Sequence, residues 1–206
     1  MNLPGLDWGK VLSTTFPGFF LALALFMVVD ILAEKDLAAK ALSGDASFVT
    51  ASIASLAALS TALGVLADAL AHIIFERVVR RSFPAFLSLN VERAARLRAH
   101  GRPPDAFNSI YRVEVDASLR QSAIESQYRY SEFSVNATLA LAALSVVLPL
   151  YLLLVLGFGL GGSMLVAGAM AAFTGLMSHV AVYNLEQWED VRTELVFGTL
   201  DAPKKG

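Results

Sequence analysis

The chain has 206 residues, 56% of them hydrophobic and 17% charged, with a formal net charge of −2 and a mean hydropathy of +0.59. Soluble domains run at roughly 45–50% apolar and about 25% charged, so lipid is expected to be part of this chain's solvent, and the small negative charge gives no bulk attraction to nucleic acid. The absence of cysteine excludes a disulfide framework, a thiolate nucleophile and a zinc site with sulfur ligands.

Met1 to Lys10 carries Asp7 and one lysine, without the basic n-region and cleavage signal of a secretory peptide, so the apolar run that follows is expected to be a retained helix. Residues 11–32 are uncharged until Asp30 and long enough, at 1.5 Å per residue, to cross a hydrocarbon core of about 30 Å. Pro17-Gly18 lies inside this first span and predicts a kink whose freed backbone carbonyl must be satisfied by a neighbouring helix or by water.

A second span is set at 51–75, part of a helical run reaching Val79. Residues 76–133 form a helical loop, broken by Pro84 and by Gly101-Arg102-Pro103-Pro104. Asp116 is a good N-cap residue, and from there to Asn136 the sequence has neither Gly nor Pro, so the third span, 134–156, is expected to start as a helix well before the membrane. Pro149 predicts a second kink there. The fourth span covers 162–183. In the tail, 184–206, Leu185, Trp188, Val191 and Leu195 make an apolar stripe opposite Glu189, Asp190 and Glu194, which predicts a short amphipathic C-terminal helix.

Loop charge sets the orientation. The first connection carries Asp30, Glu34, Asp36 and Asp45 against Lys35 and Lys40, whereas ten of the sixteen basic residues, all arginines, fall from Arg77 to Arg129. The positive-inside rule places the arginine-rich loop in the cytoplasm, and four spans then put both termini there too. Trp8, Tyr183 and Trp188 are candidate interfacial anchors on that face. The fold class read from the sequence is therefore all-α: a single polytopic membrane domain of four transmembrane helices, with a helical cytoplasmic loop between helices 2 and 3.

Ser60, Gly64, Asp68, His72, Glu76 and Arg80 recur at every fourth position of the second span, which puts Asp68 and His72 on one face. An ionisable group at membrane depth costs about 2.5–3.5 kcal/mol on insertion scales, so it needs protein or water around it and a partner. Counting inward from the helix ends brings His179 to the depth of His72, and Asn136 and Thr138 into the same layer. The candidate polar layer is Asp68, His72, His179 and Asn136, open to three readings: a structural cluster, a water-filled pathway or proton relay, and a metal or hydrolytic centre. Gly168, Ala172 and Gly175 run towards His179 as a small-residue face that lets another helix approach closely.

Arg77, Arg80 and Arg81 follow a span directly and suit lipid headgroups, while Arg93, Arg96, Arg98 and Arg102 form a denser run open to headgroups, a phosphate or a protein partner. Aromatic interleaving, which nucleic-acid binding favours, is missing there. Gly157 to Gly162 spells a G-x-G-x-x-G pattern, but a membrane-length run precedes it and no Asp or Glu stands about twenty residues on, so it is read as a tight turn. Asn136-Ala137-Thr138 spells a glycosylation sequon that belongs at the cytoplasmic edge, and it is discounted.

At Phe16-Pro17-Gly18-Phe19, Gly64 to His72 and Glu125 to Asn136 the chain resembles a broad group of uncharacterised bacterial inner-membrane proteins. Their proline-glycine pair opens the first span, and an acidic, arginine-containing helix with a late asparagine leads into the third. The resemblance implies topology and bacterial origin, and it brings no activity with it.

The function expected is that of a non-enzymatic, homo-oligomeric inner-membrane protein of bacteria. It would act as a pore or membrane effector, or as the membrane-anchored partner of a cytoplasmic protein, in a defence or stress response. It would lie in the lipid bilayer and need no cofactor or metal. Two alternatives stand beside this: a small proton-coupled transporter or ion channel using Asp68, His72 and His179, and a membrane-embedded metal-dependent hydrolase.

Overall fold

The computed structural model of the chain describes residues 11–33, 37, 40, 43, 46–74 and 83–202, and it is helical with no strand among the described residues. A π-helical turn, Val11–Thr15, leads into α1 (Phe16–Ala33), followed by α2 (Ala46–Ile74), α3 (Pro84–Ala99), α4 (Phe107–Val113) and α5 (Ala117–Ala123). A second π turn, Ile124–Tyr128, joins α5 to α6 (Arg129–Leu154), and α7 (Leu160–Asp201) closes the chain. Four stretches are long and apolar enough to cross a membrane: Leu12–Leu32, Ala46–Ile74, Ala117–Leu154 and Leu160–Asp201.

Asp116 caps α5, its carboxylate accepting from the amides of Ser118 and Leu119. Helix then runs unbroken from Ala117 to Leu154, as the lack of Gly and Pro up to Asn136 implies, and it continues through Pro149. The tail differs from expectation. Instead of a separate short helix, α7 is one helix of 42 residues, because neither Gly nor Pro interrupts the sequence between Gly175 and Gly198.

Both glycine-marked turns are helix ends. At the close of α3, Gly101 adopts a φ of 69°, the amide of Arg102 bonds to the Leu97 carbonyl at 2.8 Å and that of Gly101 to Arg98 at 3.0 Å, a Schellman cap that only a residue tolerant of left-handed φ accepts cheaply. Gly157, with φ 68°, ends α6, and the Phe158 amide reaches back to the Leu152 carbonyl at 2.9 Å. The G-x-G-x-x-G pattern thus covers the turn after α6 and the first residues of α7.

The chain divides into two compact units whose borders fall inside helices: residues 1–71 with 132–181, and residues 72–131 with 182–206. In the first, apolar unit, α1 and α2 cross at backbone contact. A Cβ built on Gly18 would lie 1.8 Å from the Ser60 carbonyl oxygen, and one on Gly64 2.1 Å from that of Thr14. Thr14 against Gly64 and Gly18 against Ser60 fix the two helices as antiparallel. Ser60, Gly64, Ala67 and Ala71 form the buried side of α2, while Ile53, Val65, Leu66 and Leu70 point outward.

Helix α1 meets α6 twice. Near its start, the side-chain amide of Asn136 donates to the Ser13 carbonyl at 2.9 Å. Near its end, the Tyr151 hydroxyl donates to Asp30 at 2.7 Å, whose other carboxylate oxygen accepts the Leu37 amide at 2.7 Å. The order of these contacts makes α1 and α6 parallel, as the first and third spans of an up-and-down chain must be. Asp30, an ordinary loop acid by sequence, is 3% exposed.

The second, arginine-rich unit has a core of its own, built from Leu97, Phe107, Ile110, Tyr111, Val115, Ala123, Trp188, Val196 and Phe197. Trp188 corrects an expectation here. It is not an exposed anchor but 7% exposed, packed against Tyr111 and Tyr128 at centroid distances of 6.3 and 5.2 Å. Tyr183 is exposed, and Trp8 lies outside the described residues.

Candidate functional site

The polar layer takes shape around the start of α1. Pro17 has no amide hydrogen and so cannot serve the carbonyl four residues before it, which is Ser13. Asn136, fully buried on α6, supplies a donor instead, the neighbouring-helix remedy that the Pro-Gly pair calls for. The π turn Val11–Thr15 absorbs the remaining mismatch in the helix, so the structural response to Pro17 is a widened turn ahead of it, with α1 continuing to Ala33.

The same Asn136 nitrogen lies 3.4 Å from a carboxylate oxygen of Asp68, a long contact that is the carboxylate's one hydrogen bond among the described residues. The Asn136 carbonyl oxygen is buried without a hydrogen-bond partner there. Ser13, Thr14, Ser60 and Ser134 are also buried in this unit. The structure thus brings Asp68 and Asn136 together with the backbone of α1.

Neither histidine hydrogen-bonds to Asp68 or Asn136 among the described residues. His72 and His179 are both exposed, and His179 shares an open side of α7 with Gly168, Ala172 and Gly175. No atom lies within 4 Å of a Cβ built on Gly168 or Gly175. Among the described residues no three His, Asp or Glu side chains are grouped as metal ligands.

The candidate arginines separate by what they touch. Arg77, Arg80 and Arg81 lie outside the described residues. Arg93 points inward: it is 4% exposed, donates to Glu189 at 2.6 Å and through Nε to the Thr193 hydroxyl at 2.8 Å, and covers the Phe107 ring at 4.1 Å. Such a guanidinium is engaged with the protein rather than turned to a headgroup. Arg96 stacks on Phe197 at 3.9 Å, Arg102 pairs with Glu114 at 2.8 Å, and Arg98 is exposed.

Glu189 departs most from the sequence reading. Placed on the polar side of the tail, it is instead 1% exposed and receives both Arg93 and Arg192, the latter at 2.9 Å. Helical spacing alone misses it because Glu189 adjoins Trp188. Its signal is the distant, complementary charge of Arg93, which no periodicity reveals.

Comparison with protein-family models, with curated proteins and with solved structures finds no match to this chain. What the fold defines is a class: an all-helical protein with four helices of membrane-spanning length and apolarity.

Proposed function

We propose that this chain is a self-assembling protein of the bacterial inner membrane that acts as a pore or membrane effector. In this reading the termini and the arginine-rich unit face the cytoplasm, where that unit can also receive a protein partner, and the setting is a defence or stress response. One observation carries the assembly: the exposed face of α7 on which Gly168, Ala172 and Gly175 lead to His179. A histidine on an apolar helix is costly against lipid, and small residues let a second helix approach close enough to cover it. A second copy of the chain is the occupant that satisfies both, and a ring of copies lines a passage more readily than a single chain of four spans.

The test is the particle mass in detergent together with dye efflux from liposomes. Gly168→Leu with Gly175→Leu is expected to reduce an oligomer to monomers and to stop efflux. A parent protein that is monomeric in both detergent and bilayers removes the reading.

A single observation favours a second reading, a small proton-coupled transporter or ion channel: among the described residues the half-buried Asp68 carboxylate has one hydrogen bond, its 3.4 Å contact with Asn136, which leaves acceptor capacity for a cation or water. Asp68→Asn is then expected to abolish flux while the oligomer persists. Flux equal to that of the parent would discard this alternative.

A further inference from the structure

Three hydrogen-bond donors in the arginine-rich unit have no acceptor. They are the hydroxyl of Tyr111 and the Nε–H groups of Arg120 and Arg192, each buried and unpartnered among the described residues. Tyr111 is 9% exposed. Arg192 lies over its ring, 4.9 Å from the centroid, held by Nη1 on Glu189 at 2.9 Å and Nη2 on the Asn108 side-chain oxygen at 2.7 Å. Arg120, half-buried on α5, makes no hydrogen bond among the described residues. Both guanidinium charges act on the Tyr111 phenol, against the burial that pushes it up.

The charge around this point is unbalanced. Arg93, Arg120 and Arg192 supply three positive charges. Against them stand two carboxylates, Glu189, which answers Arg93 and Arg192, and Asp116, which faces Arg120 while capping α5, so one positive charge is left over. An unmet buried donor costs free energy, and a water molecule offers two lone pairs and no charge to three donors. A tetrahedral oxyanion supplies enough acceptors and neutralises the excess, with guanidinium as its preferred partner.

We propose that Tyr111, Arg120 and Arg192 form a binding site for a phosphate group, carried by a lipid headgroup or by a soluble phosphate. The Tyr111 hydroxyl and the Arg192 Nε–H are fixed by the core around Phe107 and Trp188. Arg120, half-buried on α5, supplies the third donor. The arginines singled out along the sequence are not part of this site.

Trp188 reports on it directly, lying 6.3 Å from Tyr111 and 5.9 Å from Arg192. The experiment uses the full chain carrying Trp8→Phe, in a sugar-based detergent that contains no phosphate, and follows tryptophan fluorescence. In one arm inorganic phosphate is titrated against chloride of equal ionic strength. In the other, micelles are doped with phosphatidic acid or with diacylglycerol of the same chains.

A saturable change is expected in at least one arm, weakened about tenfold by Arg120→Gln and by Tyr111→Phe, the loss of one charge-assisted hydrogen bond. Arg112→Gln, an exposed neighbour of equal charge, should alter it less than about twofold. A response to phosphatidic acid alone assigns the phosphate to a headgroup, and a response to inorganic phosphate assigns it to a soluble source. Without ligand, Tyr111→Phe should melt no lower than the parent, because its hydroxyl has no internal partner to lose. Silence in both arms, equal weakening by Arg112→Gln, or a lower melting point for unliganded Tyr111→Phe would each overturn the site.

Discussion

Asn136 donates its side-chain amide to the carbonyl of Ser13, the oxygen that Pro17 cannot serve. If that replacement is what lets proline sit there, Asn136→Leu removes a buried hydrogen bond to the Ser13 carbonyl and should cost about 0.5–1.5 kcal/mol of stability. Pro17→Ala restores an amide hydrogen at the right spacing, so in a double-mutant cycle it should offset part of the Asn136→Leu loss. Strictly additive effects in reversible detergent unfolding would show that the two positions are unconnected.

The crossing of α1 and α2 depends on the absence of two methyl groups. Because the atoms a Cβ would strike at Gly18 and Gly64 are backbone rather than flexible side chain, Gly64→Ala should force the helices apart and lower stability by about 1–3 kcal/mol. Gly168→Ala, where the space is open, should leave the monomer's unfolding unchanged. Equal midpoints for the two variants would contradict the close approach.

In the arginine-rich unit, Arg93 and Glu189 form an ion pair whose side chains are 5% and 1% exposed. Removing Arg93 leaves buried Glu189 with Arg192 as its one charged partner among the described residues, so Arg93→Ala is expected to destabilise by about 1–3 kcal/mol, less than for a fully unpaired buried charge. Arg93→Met with Glu189→Leu removes both charges but also takes the carboxylate from Arg192, so it should recover part of that. A double variant no better than the single would mean that Glu189 does not depend on Arg93 for its place.

His100 places Nδ1 on the Arg96 carbonyl at 2.8 Å and Nε2 on Asp201 at 2.7 Å. Both partners are acceptors, so both ring nitrogens must carry hydrogen, and the imidazole is held above its ordinary value of 6.5, first by the Arg96 carbonyl and then by Asp201. A raised folded-state pKa gives stabilisation that is full below about 6.5 and lost as pH rises through the higher value. Amide exchange near Asp201 is therefore expected to quicken over that interval, and His100→Ala should abolish the pH dependence. Exchange that follows only the intrinsic base-catalysed rate in the parent would exclude the contact.

How much of this was readable beforehand depended on whether a feature is local. The four long apolar helices, the Asp116 cap and the glycine turns follow from runs, spacings and φ preferences, and each is present. The continuity of α7 was also legible, since Gly175 and Gly198 bracket an uninterrupted stretch, but the chemical change from Tyr183 to Glu189 suggested a boundary that the backbone does not need. The Asp68–Asn136 contact could be reached by counting depth along helices. Asp30 with Tyr151, Arg93 with Glu189, and Arg192 over Tyr111 could not, because each joins residues over seventy positions apart and a single sequence holds no trace of such pairing.

Seventeen residues separate Ser13 from Asp30 on one helix and fifteen separate Asn136 from Tyr151 on the other, or about 25 Å against about 22 Å of rise. Two fasteners at those intervals act as a caliper. Sliding α1 by a single residue turns it about 100° and withdraws both ends at once, so no half-engaged arrangement keeps one polar contact while searching for the other. The chain therefore checks its own alignment as its helices come together, and a mis-set pair is left with two buried polar defects rather than one.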